Sequence, residues 1–255
     1  MRRTTVRRTA FAVSTLSLAL LVSACGSDGK SAEDEPKGKT SASAPAASGA
    51  KVLSQAEVDN LVLAEADLKD HKVAKATEAD FATAKTVTTD KAACTPLVDV
   101  MALRGAGKPG ATATRKVVSV PKGPGANASA EEKAKAGLDA LGATVTADTV
   151  ASYNGQGAAD ALAALKKAGT DCAGGFALIA GSDKTPFTKV APASYTAGDE
   201  AVAFTLTADL DGETGTAHLV AVRKGSTLAT FYAQSLAGKA EQPKAVIDAQ
   251  VKKLG

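Results

Sequence analysis

The chain has 255 residues, of which 45% are hydrophobic, but only 4% are aromatic and tryptophan is absent. Its formal net charge of +3 is misleading, because four of its 30 basic residues lie in positions 1–24, which hold no Asp or Glu. From residue 25 onward, 26 basic residues face 27 acidic ones, a net charge of −1. A near-neutral chain with few aromatic rings provides neither the field nor the stacking surfaces of a nucleic-acid-binding protein, so we expect no nucleic-acid partner.

The first 24 residues have the pattern of a secretory signal peptide. Four arginines within the first eight residues precede an apolar run over 10–22, and the small residues Ser23 and Ala24 come just before Cys25. An n-region, an apolar h-region and small residues before a cleavage point are the parts of such a signal. The apolar run is shorter than the roughly 20 residues that a membrane-spanning helix needs. We therefore predict a cleaved leader over 1–24.

Residues 21–25, Leu-Val-Ser-Ala-Cys, resemble the lipobox of bacterial lipoproteins. The resemblance implies cleavage between Ala24 and Cys25 and a diacylglycerol on the Cys25 sulfur, that is, lipidation at this residue. Two acyl chains give stable anchoring. The lipid bilayer would then be a partner of the chain, and the protein would lie on the extracytoplasmic face of the cell membrane. Export by the general secretory route and export by the twin-arginine route remain alternatives.

Residues 25–50 are rich in Ser, Ala and Pro and contain almost no large apolar side chain. Such a segment cannot offset its ordering entropy by burial, so we predict a flexible linker there. The remaining residues, 51–255, are enough for one domain with a sizeable core.

The first half of this domain combines capped helices with short strands. Ser54 and Glu57 form a capping box that predicts a helix, and Ser129 with Glu132 forms a second one. In chain order, we predict a helix from Ser54, an extended segment at 86–89, a helix over 92–103, a strand over 115–120, and a helix from 129 to about 141.

The second half is a succession of strands. We predict a strand over 144–153, a helix over 158–168, strands over 184–195, 201–210, 214–222 and 226–234, and a closing helix over 243–254. Asp211 and Gly212 form a hairpin signal between two of these strands, since both tolerate positive φ. Meandering strands with flanking helices predict an α+β fold, a single domain in which helices pack on one face of an antiparallel β-sheet.

Two cysteines, Cys94 and Cys172, remain after Cys25. In an oxidising compartment a leftover pair most simply forms one disulfide, and two separately buried thiols are the alternative. A zinc site is not expected, because His71 and His218 do not lie at ligand spacing from either cysteine.

The order of elements resembles the extracellular sensor domain of PknH-type mycobacterial serine/threonine kinases. The points of resemblance are Leu63 and residues 66–68 after the first helix, Cys94 on a following helix, the strand–turn–helix–cysteine unit over 150–172, three antiparallel strands, and a helix closing at Leu254. The resemblance spans residues 51–255 and implies a non-catalytic domain with a cleft for a small ligand. It identifies no ligand-binding residue. Domains of that family usually carry two disulfides, whereas this chain can form only one.

The motifs that would signal catalysis or a cofactor fail on their context. A G-x-G-x-x-G match at 105–110 contains Pro109 and does not follow a strand. The acids Asp209, Asp211 and Glu213 lack the spacing of a calcium loop. There is no G-x-S-x-G elbow, and His218 is a lone base on a predicted strand. We therefore predict no catalytic residue, no metal and no cofactor.

Two functions remain in competition. The first is a membrane-anchored, non-enzymatic sensor-like domain that binds a small ligand or an envelope protein. The alternative is a carrier of lipid or another hydrophobic metabolite, since an Ala/Val/Leu-rich interior could leave a hollow. An enzyme would require converging polar side chains with displaced pKa values in a pocket.

Overall fold

A computed structural model describes residues 51–121, 123–125 and 127–255. The predicted signal peptide, the predicted linker and Cys25 lie outside the described residues. Within those ranges, no helix has both the length and the apolar character needed to cross a bilayer.

Nine strands form one antiparallel sheet in the order β1-β3-β4-β9-β8-β7-β6-β5-β2. The strands are β1 (His71–Lys75), β2 (Val87–Thr89), β3 (Ala111–Ser119), β4 (Thr144–Ser152), β5 (Phe176–Ala180), β6 (Asp183–Ala193), β7 (Glu200–Leu210), β8 (Glu213–Lys224) and β9 (Thr227–Ser235). The helices are α1 (Gln55–Leu61), α2 (Glu78–Thr86), α3 (Thr95–Met101), α4 (Ala130–Leu141), α5 (Gly157–Asp171) and α6 (Lys244–Leu254). The predicted α+β class with an antiparallel sheet is confirmed.

Helices cover both faces of the sheet, and the prediction of cover on one face is wrong. Successive strand residues point to opposite faces. In β8, Leu219 belongs to a buried cluster with α3 and α5, whereas Val220 belongs to a second cluster with α1 and α6. The uninterrupted apolar run over 219–222 is typical of a strand buried on both sides. The apolar–polar alternation in β7 instead indicated a sheet with one exposed face, and the prediction followed it.

Both predicted capping boxes are present, at Ser54–Glu57 and Ser129–Glu132. A third, formed by Thr77 and Asp80, begins α2, a helix that the sequence analysis missed. Its acid is Asp rather than the Glu or Gln of the standard motif. Strand β5 was not predicted either, whereas β1, a short edge strand with three charged or ionisable residues, lies in the region after Leu68 that was expected to be a polar strand.

The predicted helix over 92–103 is shorter and begins with a 3₁₀ turn over Ala92–Cys94. The α-helical part has Pro96 in its first turn, where a missing N–H is tolerated. Cys94 at this start lies against Cys172 at the end of α5, with the two sulfurs 2.01 Å apart and the Cα atoms 5.9 Å apart. The pair has the distance of the expected disulfide, and it ties α3 to α5.

The hairpin between β7 and β8 turns at the expected residues. Asp211 and Gly212 have φ values of 55° and 91°. The Asp209 carboxylate accepts the Gly212 N–H at 2.7 Å, so one of the three clustered acids serves the turn itself.

Candidate functional site

A cleft of about 280 Å³ lies between the sheet and the α2–α3 pair. Its floor is built by three neighbouring strands in register, because Lys116 of β3 pairs with Ala147 of β4, which pairs with Tyr232 of β9. Val145 and Gln234 form the next pair of the floor. The floor of the cleft therefore belongs to the continuous hydrogen-bonded part of the sheet.

The opposite wall of the cleft is apolar. It consists of Ala84, Val87, Met101, Ala102 and Leu103.

Arg104, just beyond α3, holds this wall together. Its guanidinium donates to the Asp99 carboxylate at 2.8 Å, to the Val87 carbonyl at 3.1 Å, and to the Ala84 carbonyl. One side chain thus ties the end of α3 to the end of α2 and to β2.

An ion pair lies at the polar edge of the cleft. The Lys116 ammonium donates to both oxygens of Asp80, at 2.7 and 2.9 Å. The Lys116 ammonium and then the Thr77 N–H lower the pKa of Asp80 to about 2. The Asp80 carboxyl is therefore ionised at neutral pH.

Tyr232 provides an uncharged polar group on the floor. Burial raises the pKa of its phenol, so the hydroxyl stays protonated. This hydroxyl has no hydrogen-bond partner within the described part of the chain, and the ring lines the cleft. The cleft thus presents an apolar wall, an ion pair and a phenol hydroxyl.

The structure does not assemble the rejected motifs into a site. In the strand–turn–helix–cysteine unit over 150–172, the turn at Gly155 has a φ of 54° and leads directly into α5. His218 is half-buried, its Nε2 lies 3.2 Å from the Ala240 carbonyl, and burial lowers the pKa of its imidazole. Among the described residues, no group of three or more His, Cys, Asp or Glu side chains is placed to hold a metal ion.

Asp148 is a buried carboxyl group that the sequence analysis did not single out. It is 0% exposed and lies on the face of β4 opposite the cleft. Neither of its oxygens has a hydrogen-bond partner within the described residues, and the nearby Leu63 N–H donates instead to Gln250 at 3.0 Å. The only signal in the sequence is an acid in the middle of an otherwise uncharged strand.

Burial raises the pKa of Asp148 to about 8, and the charge of Arg115 is the strongest effect in the opposite direction. Arg115 is the register partner of Asp148 on β3, but its guanidinium donates to the carbonyls of Thr114 and Asp59. Asp148 is therefore protonated at neutral pH. It does not line the cleft.

No protein-family model and no curated protein matches the chain. The solved structures similar to it include two mycobacterial proteins. The extracellular domain of PknH from Mycobacterium tuberculosis is 12% identical, with a TM-score of 0.48 over 81% of this chain and 97% of that one. An uncharacterised Mycobacterium smegmatis protein, the Rv0999 ortholog, is 10% identical, with a TM-score of 0.35 over 72% of this chain and 89% of that one. The first belongs to the family that the order of elements resembles, and no residue-level correspondence transfers at this identity.

Proposed function

We propose that this protein is a membrane-anchored, extracytoplasmic lipoprotein whose domain binds a small amphipathic ligand without catalysis. The observation that carries the proposal is the cleft between α2, α3 and the sheet. An apolar wall would receive the body of the ligand, and the Lys116–Asp80 pair with the Tyr232 hydroxyl would orient its polar end. Ligand sites usually combine a mostly apolar lining with a few placed polar groups.

The size of the cleft favours a small ligand over the alternative, a carrier of lipid. At about 280 Å³ the cleft lies just below the usual range for small-molecule sites, roughly 300–1,000 Å³. The two clusters on either side of the sheet bury large side chains completely, among them Leu219 and Phe231. Lipid seen by native mass spectrometry of the purified protein would support the carrier instead.

The placement of the ionisable groups supports a binding role without catalysis. A carboxyl group with a strongly raised pKa often marks an active site. Here the Asp148 carboxyl is buried on the sheet face that α1 and α6 cover, on the side opposite the cleft. The ionisable groups at the cleft edge are paired with each other.

A thermal-shift screen of the full chain against peptidoglycan fragments, envelope lipids and metal ions tests the binding proposal. A compound that binds the folded state raises the unfolding midpoint by mass action. The variant Ala147→Leu fills the floor of the cleft and should abolish that shift. Lys116→Gln should weaken it, whereas Lys72→Gln, an exposed cation on the adjacent strand β1, should not.

Two results would contradict the proposal. The first is a shift that persists in the Ala147→Leu variant, because the compound would then bind elsewhere. The second is the absence of any shift across the screen, which would favour a protein partner.

The anchoring proposal is tested separately. Metabolic labelling with a fatty-acid probe should mark the wild-type chain, and Cys25→Ser should remove the label and release the protein from membranes. An unlabelled wild-type chain, or a membrane-bound Cys25→Ser variant, would refute lipidation and leave the cleft proposal intact.

A further inference from the structure

A second cavity, of about 460 Å³, lies on the other face of the sheet. It opens where β3 ends and β4 begins, and the start of α6 forms its opposite wall. It shares no lining residue with the cleft.

The first turn of α6 presents free amide groups to this cavity. No side chain caps the helix and no acid lies in its first turn. Within the described residues, the N–H groups of Ala245 and Val246 have no acceptor. Ile247 is the first residue of α6 whose N–H donates to the carbonyl four residues earlier, that of Pro243. Unpaired N–H groups and the helix dipole together attract an anion.

Thr146 provides an independent sign of a ligand. Its side chain is 98% buried, since only 2% is exposed, and it lines the cavity. Two neighbouring hydroxyls are occupied, because Ser119 accepts the Thr144 N–H at 3.0 Å and Thr144 accepts the Glu241 N–H at 3.2 Å. The Thr146 hydroxyl makes no hydrogen bond in the described part of the chain. Because Thr146 is almost wholly buried and its small exposed part faces the cavity, a ligand oxygen in the cavity could accept a hydrogen bond from this hydroxyl.

The charged groups around the cavity are of both signs. Lys244 lies in the first turn of α6, where a cation is unfavourable for the helix itself. His71 adds its free Nε2, because its Nδ1 lies 2.7 Å from the Lys69 carbonyl. The carboxylates of Asp70 and Glu241 also line the cavity. None of these four side chains forms an ion pair with another described residue.

We propose that this cavity binds a small zwitterion, an amino acid or a dipeptide. The start of α6, Lys244 and the Thr146 hydroxyl hold its carboxylate, and Asp70 with Glu241 holds its ammonium group. A polyanion such as phosphate fits less well, because the two carboxylates repel it. This site goes beyond the proposed function, since it lies on the other side of the sheet from the cleft.

An NMR titration of the full chain, purified in detergent, with three probes tests the proposal. Diglycine carries both charges, N-acetyldiglycine only the carboxylate, and diglycinamide only the ammonium. Diglycine should bind and shift the amide signals at the start of α6. Diglycinamide should bind at least about tenfold more weakly, because it cannot use the helix start and Lys244, and N-acetyldiglycine should bind several-fold more weakly.

Variants locate the binding. Thr146→Val keeps the shape of the side chain and should weaken diglycine binding about tenfold, the loss expected for a hydrogen bond to a charged group. Lys244→Gln should weaken it similarly. Lys252→Gln, in the last turn of the same helix, is the matched control and should leave binding unchanged. Unshifted amide signals elsewhere in each variant show that the fold is intact.

Several results would overturn the proposal. They are the absence of diglycine binding at millimolar concentration, equal binding of diglycinamide or N-acetyldiglycine, and unchanged binding in both Thr146→Val and Lys244→Gln.

Discussion

Asp148 shows how a single residue makes stability depend on pH. In the unfolded chain its pKa is the ordinary 3.8, and in the folded protein burial raises it to about 8. Between these values the folded state holds a proton that the unfolded state has released. Stability therefore falls as pH rises from about 4 to about 8 and levels off above the folded pKa.

Replacing this carboxyl group by an amide removes that dependence. We expect Asp148→Asn to gain stability relative to the wild type as pH rises across this interval, by at most about 1.4 kcal/mol per pH unit for one proton. Urea unfolding of both proteins at several pH values between 4 and 9 measures the difference. A difference that stays constant with pH would show that Asp148 does not titrate with a raised pKa in the folded state.

At the scale of the element, α5 rests on β7 through a glycine. A Cβ atom placed on Gly169 would lie 2.1 Å from Cζ of Phe204. Close packing of a helix on a sheet here depends on the missing side chain. Gly137, in the middle of α4, has nothing within 4 Å of the same position.

These two glycines give a matched pair of predictions. Gly169→Ala should destabilise the protein by about 1–3 kcal/mol, because overpacking outweighs the better helix propensity of alanine. Gly137→Ala should stabilise it by up to about 1 kcal/mol, because only the propensity changes. Denaturant unfolding of both variants measures the two effects, and a loss of stability in the α4 variant would contradict this reasoning.

The link between α3 and α5 is covalent as well as apolar. The Cys94–Cys172 pair closes a separation of 78 residues in sequence. The double variant Cys94→Ala/Cys172→Ala should lose about 2–5 kcal/mol of unfolding free energy.

Alkylation provides the chemical check on this bond. In the denatured, unreduced wild-type protein, neither Cys94 nor Cys172 should react with an alkylating reagent. Modification of both residues would instead support the alternative of two free, buried thiols.

At the scale of the whole molecule, local patterns predicted most elements, and long-range contacts decided the rest. The capping boxes at Ser54 and Ser129 depend on residues three positions apart, so the sequence displays them directly. The edge strand β1 and the helix α2 have weak local signals and owe their place to pairing with β3 and to the Lys116–Asp80 contact.

Neither cavity could be predicted from the sequence. The floor of the cleft joins residues 116, 147 and 232, and the α6 cavity joins residues near 71, 146 and 244. These groupings follow from the strand order β1-β3-β4-β9, which places β9 beside β4 although β5 to β8 lie between them in sequence.

The β4 strand separates the cleft on one face of the sheet from the α6 cavity on the other face. Val145 and Ala147 look into one of them, and Thr144 and Thr146 look into the other. Inserting or deleting one residue within this stretch would turn every later side chain of β4 to the opposite face of the sheet. The threonine hydroxyls would then face the cleft, and the apolar side chains would face the α6 cavity. Both cavities thus depend on the same register of β4, and a change in the length of this strand would alter both at once.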